Sequence, residues 1–159
     1  MPHAKRAADD LTPLGKLDEG ALHGLLGYQL AQAAILTTGV FTHAAGQPLE
    51  LRPVEFTILQ LVNENADITP GRLAKALAMT APGITIWLDR LEGRGLVLRE
   101  RSTTDRRAQN VSLTRSGQAL VSQALKNVLA EERSVLQSLS EGERTMLLEL
   151  LHKVARLRK

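Results

Sequence analysis

The 159-residue chain contains no cysteine. Disulfides, thiolate metal sites and thiol redox sensing are therefore excluded. Aromatic residues are scarce: one tryptophan, one tyrosine and two phenylalanines. With 43% of the chain hydrophobic, its core has to be built from Leu, Ala, Val and Ile, a composition that favours helix. No run approaches the ~18 uninterrupted apolar residues of a membrane span. The opening MPHAKRAADD lacks the apolar centre of a signal peptide. A soluble, cytoplasmic protein is expected. Catalytic signatures are also missing: no G-x-S-x-G, no H-E-x-x-H and no phosphate-binding glycine loop. The histidines, His3, His23, His43 and His152, are dispersed rather than grouped as zinc ligands. Neither an enzyme, a metal site nor a cofactor is expected.

What the chain does have is an uneven charge. Its net charge is only +3, yet residues 72–115 hold nine Lys/Arg against four Asp/Glu, while the remainder holds eleven against thirteen. Positive charge gathered on one segment is the footprint of a surface that meets phosphates.

That segment is also the most strongly patterned. Thr69-Pro70 reads as an N-cap followed by proline in the first turn, and Leu73, Ala74 and Leu77 recur at helical spacing. Thr80 opens a second short helix with Pro82 in its first turn, where a missing N–H costs little. Ile84, Leu88 and Leu91 form its buried stripe, and Gly93 or Gly95 supplies the C-cap. Residues 96–101 and 109–113 then alternate as two strands, with Val111 and Leu113 on one face and the polar, cationic run 102–107 as the turn. Two helices, a tight turn and a hairpin with a basic tip make a winged helix-turn-helix. Such a module places one helix in the major groove of DNA.

Amphipathic helices flank it. Residues 1–20 are polar, with Pro2, Pro13, Gly15 and Gly20, and are expected to form a flexible arm. Residues 21–48 are expected to be dominated by one long helix carrying Leu22, Leu25, Leu26, Leu30 and Val40. The reading module spans 49–114 and includes a helix from Arg52-Pro53 to about Glu64, packed through Phe56, Leu59, Leu61 and Val62. Residues 115–159 hold two further helices. One is capped by Thr114. The other is capped by Ser140, with Glu143 completing a capping box. Their stripes exceed what so small a module can cover, so a two-fold homodimer through the N- and C-terminal helices is predicted.

In order and spacing, the run Leu88, Arg90, Leu91, Glu92, Arg94, Gly95, Leu96, Val97 and Arg99, then Asp105-Arg106-Arg107, then Leu113, Thr114 and Gly117, resembles the MarR family of bacterial transcription regulators. The resemblance extends over roughly residues 22–157. It implies a mainly α fold with a small β-hairpin wing, a winged helix-turn-helix flanked by dimerisation helices, and a DNA-binding regulator, most commonly a repressor. It also implies a small effector, often a phenolic or other aromatic acid, bound between the dimer helices and the reading module. The cysteine-based oxidant sensing known in some relatives is not available to this chain.

Paired recognition helices imply a pseudo-palindromic operator with half-sites about one helical turn apart. Base-edge candidates are Thr80, Ala81 and Thr85 at the start of the recognition helix, with Asp89 beyond them. Arg90 is a candidate for phosphate or base, and Arg72, Lys75, Arg99 and Arg101 are candidates for phosphate. Trp87 reads as packing. In the wing, resemblance makes a tip arginine the minor-groove reader. Spacing leaves Arg106 and Arg107 open, with Arg107 slightly favoured, and Asp105 reads as fixing the turn. For an aromatic acid or its thioester, His23, Tyr28, His43, Arg52 and Phe56 are the ligand candidates, since histidine or arginine can pair with a carboxylate and tyrosine can bond a phenol. A metal-responsive regulator and a winged-helix protein-interaction adapter are the alternatives to this reading.

Overall fold

A computed structural model describes residues 11–100 and 109–158, together with the backbone alone at Arg101. The chain divides into two compact units, Met1–Gly39 and Val40–Lys159.

In the first unit, Leu11 and Asp18 form an isolated antiparallel bridge that closes a tight turn. A 3-10 turn, Gly20–Gly24, follows, and Leu25 is extended before α1 (Leu26–Phe41) begins. The predicted single helix over this region is thus broken. Gly20 takes a left-handed φ of 53°, and the extended Leu25 interrupts the backbone ladder. Glu19 is the buried polar residue here. Its carboxylate accepts from Tyr28 Oη at 3.1 Å and pairs with His23 Nδ1 at 3.0 Å. Leu22, Leu25, Leu26, Leu30, Ile35 and Leu36 are exposed.

In the second unit, α1 ends in a π-turn, Thr42–Gly46, closed by Gln47 N–H donating to Thr42 O at 2.9 Å. The wider turn puts Ala45 in the core with no exposed surface and leaves Ala44 O to accept from Asn127 Nδ2 at 3.0 Å. Then come α2 (Pro53–Glu64), α3 (Pro70–Ala76), α4 (Ala81–Gly93), β1 (Val97–Arg101), β2 (Gln109–Leu113), α5 (Arg115–Val135) and α6 (Glu141–Ala155). The strands are antiparallel with Val97 opposite Leu113 and Arg99 opposite Val111. Val111 N–H also donates to Ile68 O at 2.8 Å, so the residue ahead of the α3 N-cap adds a one-residue rung to the hairpin.

The predicted caps form. Thr69, Thr80 and Thr114 each accept from the N–H three residues on, at Arg72, Gly83 and Gly117. Ser140 and Glu143 make the reciprocal capping box. Helix α4 closes in a Schellman turn: Leu96 N–H reaches Leu91 O at 2.9 Å and Gly95 N–H reaches Glu92 O at 2.8 Å, with Gly95 at φ 66°. The core is one cluster, with Ile58 and Leu59 of α2, Leu73 of α3, Ile84, Leu88 and Leu91 of α4, Val97 and Val111 of the hairpin, and Val121 and Ala124 of α5. By contrast α6 buries none of its residues, and Met146, Leu147, Leu148, Leu150 and Val154 stay exposed. No described helix is long and apolar enough to cross a membrane.

Candidate nucleic-acid interface

The second unit presents α3, a tight turn and α4 beside the hairpin. The turn is held by Met79 N–H donating to Ala74 O at 2.9 Å, with Ala78 left-handed at φ 52°. Because Ile84, Leu88 and Leu91 face the core, the opposite side of α4 consists of Ala81, Pro82, Thr85, Ile86, Asp89, Arg90 and Gly93, all exposed. Arg72 and Lys75 are exposed on α3. Thr80, also exposed, spends a lone pair on its own helix cap, and the Thr85 hydroxyl donates to Ala81 O at 3.0 Å. The wing residues Asp105, Arg106 and Arg107 lie outside the described residues, as does the side chain of Arg101.

Two of the arginines named as DNA candidates are engaged by carboxylates of the protein itself. Arg99, on β1, places Nη2 2.6 Å from Asp89 Oδ1, donates through Nε to Glu92 Oε2 at 3.0 Å, and makes a second, shorter contact to that oxygen through Nη2. The wing is thereby fastened to the C-terminal half of α4. Arg90 Nε lies 2.9 Å from Oε1 of Glu55, a fully buried carboxylate on α2, and Arg94 Nη1 donates to Glu55 Oε2 at 3.3 Å. Arg90 retains 43% of its side-chain surface and sits 6.0 Å from the Trp87 ring centroid. The Arg52 guanidinium lies 5.7 Å from the same centroid.

The Arg99 contacts shift acid–base behaviour. The hydrogen bond from Arg99 is the main cause that holds the Glu92 carboxyl below its usual value, and the hydrogen bond to Glu92 is the main cause that raises Arg99. A carboxyl depressed in the folded state stabilises the fold above its unfolded value and ceases to do so as pH falls through the folded one. Glu92→Gln should therefore melt below the parent at neutral pH, with the gap closing as pH falls below the ordinary carboxylate range. Thermal melts across that range test this, and a pH-independent gap would deny Glu92 the role.

Of the five ligand candidates, His23 and Tyr28 lie in the first unit and His43, Arg52 and Phe56 in the second. His23 and Tyr28 share Glu19, and burial, followed by the Glu19 hydrogen bond, raises the Tyr28 phenol. Phe56 tilts against Phe41 with ring centroids 5.6 Å apart, and Arg52 lies over Trp87. His43 lines an open cleft of about 640 Å³, with Ala44, Gln47, Pro48 and Glu131. Among the described residues no three His, Cys, Asp or Glu side chains group as a metal-binding set.

Two residues, one on this surface and one beneath it, were not singled out from the sequence. Ile86 is 67% exposed on the outer face of α4. Its position two residues after Ile84, which is 200° around a helix from the buried stripe, is a signal readable from sequence. Glu55 is buried three residues after Arg52, whose backbone N–H it accepts at 2.8 Å. That capping pattern was visible in sequence, whereas its pairing with arginines of α4 was not.

A hairpin fastened to the second of two capped helices defines a winged helix-turn-helix. Residues 51–108 match the MarR family model. The transcriptional repressor CouR bound to a 23-mer DNA duplex is 35% identical, covering 87% of this chain and 98% of that one, with a TM-score of 0.80. CouR bound to p-coumaroyl-CoA is 34% identical over 86% of this chain and 96% of that one, with a TM-score of 0.75. A Thauera aromatica protein described as a transcriptional regulatory protein for the hcr operon is 27% identical over 143 residues, covering 90% of this chain and 86% of that protein. The chain belongs to the MarR family of transcriptional regulators.

Proposed function

We propose that this regulator is a cytoplasmic, ligand-responsive repressor that grips a pseudo-palindromic operator as a homodimer and is released by an aromatic acid or its thioester. The observation that carries the reading is the exposed outer face of α4, flanked by Arg72 and Lys75, on a fold shared with DNA-bound CouR. In this reading residues 49–114 form the reading module, with residues 21–48 and 115–159 forming the seam between copies. The exposed leucines of α1 and α6 support that seam, since apolar stripes of this extent are seldom left to water. Ala81 and Thr85 meet base edges, Arg72 and Lys75 meet phosphates, and the wing tip reaches the minor groove through Arg107 or Arg106. Asp105 is assigned to fixing the turn and Arg101 to a phosphate contact, both on the sequence pattern alone. Arg99 acts by bracing the wing, and Arg90 combines its pairing to Glu55 with an exposed edge.

CouR supports an aromatic thioester as effector class. An effector that favours a dimer with misplaced reading heads by about 1.4 kcal/mol changes operator occupancy tenfold, so a modest site suffices. Of the candidate ligand residues, His43 has the best claim, on the cleft that it lines with Glu131.

The test is a set of anisotropy titrations at several salt concentrations on a duplex selected from a random pool by the parent protein. Arg107→Ala should lose roughly 1–3 kcal/mol of specific affinity. Lys75→Ala should weaken all sequences alike and reduce the salt slope by about one unit. Adding p-coumaroyl-CoA should release the duplex. A parent protein that enriches no sequence and ignores duplex at low salt would sink the reading.

A further inference from the structure

Ile86 is the large apolar side chain on the face of α4 that points away from the core, and it is 67% exposed. The buried stripe, Ile84, Leu88 and Leu91, accounts for the packing of this helix within its own unit, so Ile86 is not needed there. Each of its polar neighbours is engaged within the protein through at least one atom. The Thr85 hydroxyl donates to Ala81 O at 3.0 Å, Asp89 holds Arg99 at 2.6 Å, and Arg90 faces Glu55 at 2.9 Å. What remains between them is a methyl-rich strip of Ala81, Pro82, the Thr85 methyl and Ile86. Such a strip has no free donor to offer the acceptor-rich edge of guanine. It matches the one apolar feature of the major groove, the C5-methyl of thymine. A β-branched side chain in a helix is held close to one χ1 rotamer, so little freedom is lost on contact.

We infer that Ile86 is a specificity-determining residue that reads a thymine methyl in each operator half-site. The inference rests on the DNA-binding reading above and goes further by naming the base and the group on it. Ile86 packs on the methyl and excludes water from that base step. Cytosine, which lacks the methyl, is thereby disfavoured at the same position.

Uracil differs from thymine by that methyl alone, which makes the test direct. On the duplex selected by the parent protein, each thymine is replaced singly by deoxyuridine and titrated with parent and with Ile86→Ala. For the parent, one symmetry-related thymine position per half-site should lose about fourfold on replacement, the worth of one buried methyl-sized group. Ile86→Ala should bind the thymine duplex more weakly and be indifferent to uracil at that position, while its response at other thymines stays unchanged. Because Ile86 is exposed, the variant should melt as the parent does. The inference is overturned if Ile86→Ala keeps the parent's full uracil response, or if no thymine position responds in the parent. A parent that selects no sequence overturns the regulator reading together with it, whereas selection without coupling between Ile86 and the methyl overturns this inference alone.

Discussion

Gly117→Ala is expected to destabilise the second unit by about 3 kcal/mol, the upper end of the range for forcing extra atoms into a packed site. Gly117 lies in the first turn of α5, where alanine would ordinarily gain about 1 kcal/mol of helix propensity over glycine. Here a Cβ would sit 2.0 Å from the carbonyl oxygen of Leu96, and 2.9 Å from its carbonyl carbon. That oxygen cannot step aside freely, because it accepts from Thr114 N–H at 3.1 Å, and the neighbouring Gly95 O is held by the hydroxyls of Thr114 and Ser116. The clash therefore outweighs the propensity. A midpoint fall of about 2–4 °C for each kcal/mol is expected for a chain of this size, readable by circular dichroism. A variant as stable as the parent would show that α5 can lift off the end of α4 without cost.

The second large effect is expected for Glu55→Ala. This carboxylate has no exposed surface and holds three groups: the Arg52 N–H at 2.8 Å and Arg94 Nη1 at 3.3 Å through Oε2, and Arg90 Nε at 2.9 Å through Oε1. The last contact is close but not aligned as a hydrogen bond, so Oε1 is held there by charge alone. Removing one partner of a fully buried ion pair costs roughly 3–5 kcal/mol. Arg90 and Arg94 keep 43% and 29% of their side-chain surface, so they rehydrate in the variant, and about 2 kcal/mol is the better expectation. Glu55→Gln retains an acceptor for the Arg52 N–H and should recover part of the loss. Urea unfolding with an unchanged slope is the measurement, and a Glu55→Ala protein within about 0.5 kcal/mol of the parent would remove the clamp from the account.

The parts of this architecture that were readable from sequence are those governed by neighbours. Thr69, Thr80, Thr114 and Ser140 announce helix starts because a cap needs only a hydroxyl and the N–H three residues on. Ile84, Leu88 and Leu91 announce the buried side of α4 by spacing. What escaped is set at a distance or against local preference. Arg94 meets Glu55 across 39 positions, beyond any local window, and Arg99 reaches back to Asp89 and Glu92 across a helix-to-strand junction, where helical spacing no longer tells which side chains meet. Ala78 takes a left-handed backbone that favours glycine, and thus gives no mark of the turn it makes. The π-turn at Thr42–Gly46 follows from packing Ala45 into the core, again invisible to a helical repeat. The partners of the ligand candidates were likewise not legible, since Tyr28 bonds Glu19 nine positions away and Phe56 tilts against Phe41 fifteen positions away.

The single tryptophan of the chain stands on the recognition helix with Arg52 from the start of α2 and Arg90 from its own helix close to the indole. A cation near an indole perturbs its excited state, and no second tryptophan dilutes the signal. The protein thus carries a built-in optical gauge at the junction between its reading helix and α2, so stopped-flow emission can time how the two shift when duplex or effector arrives, with no dye attached.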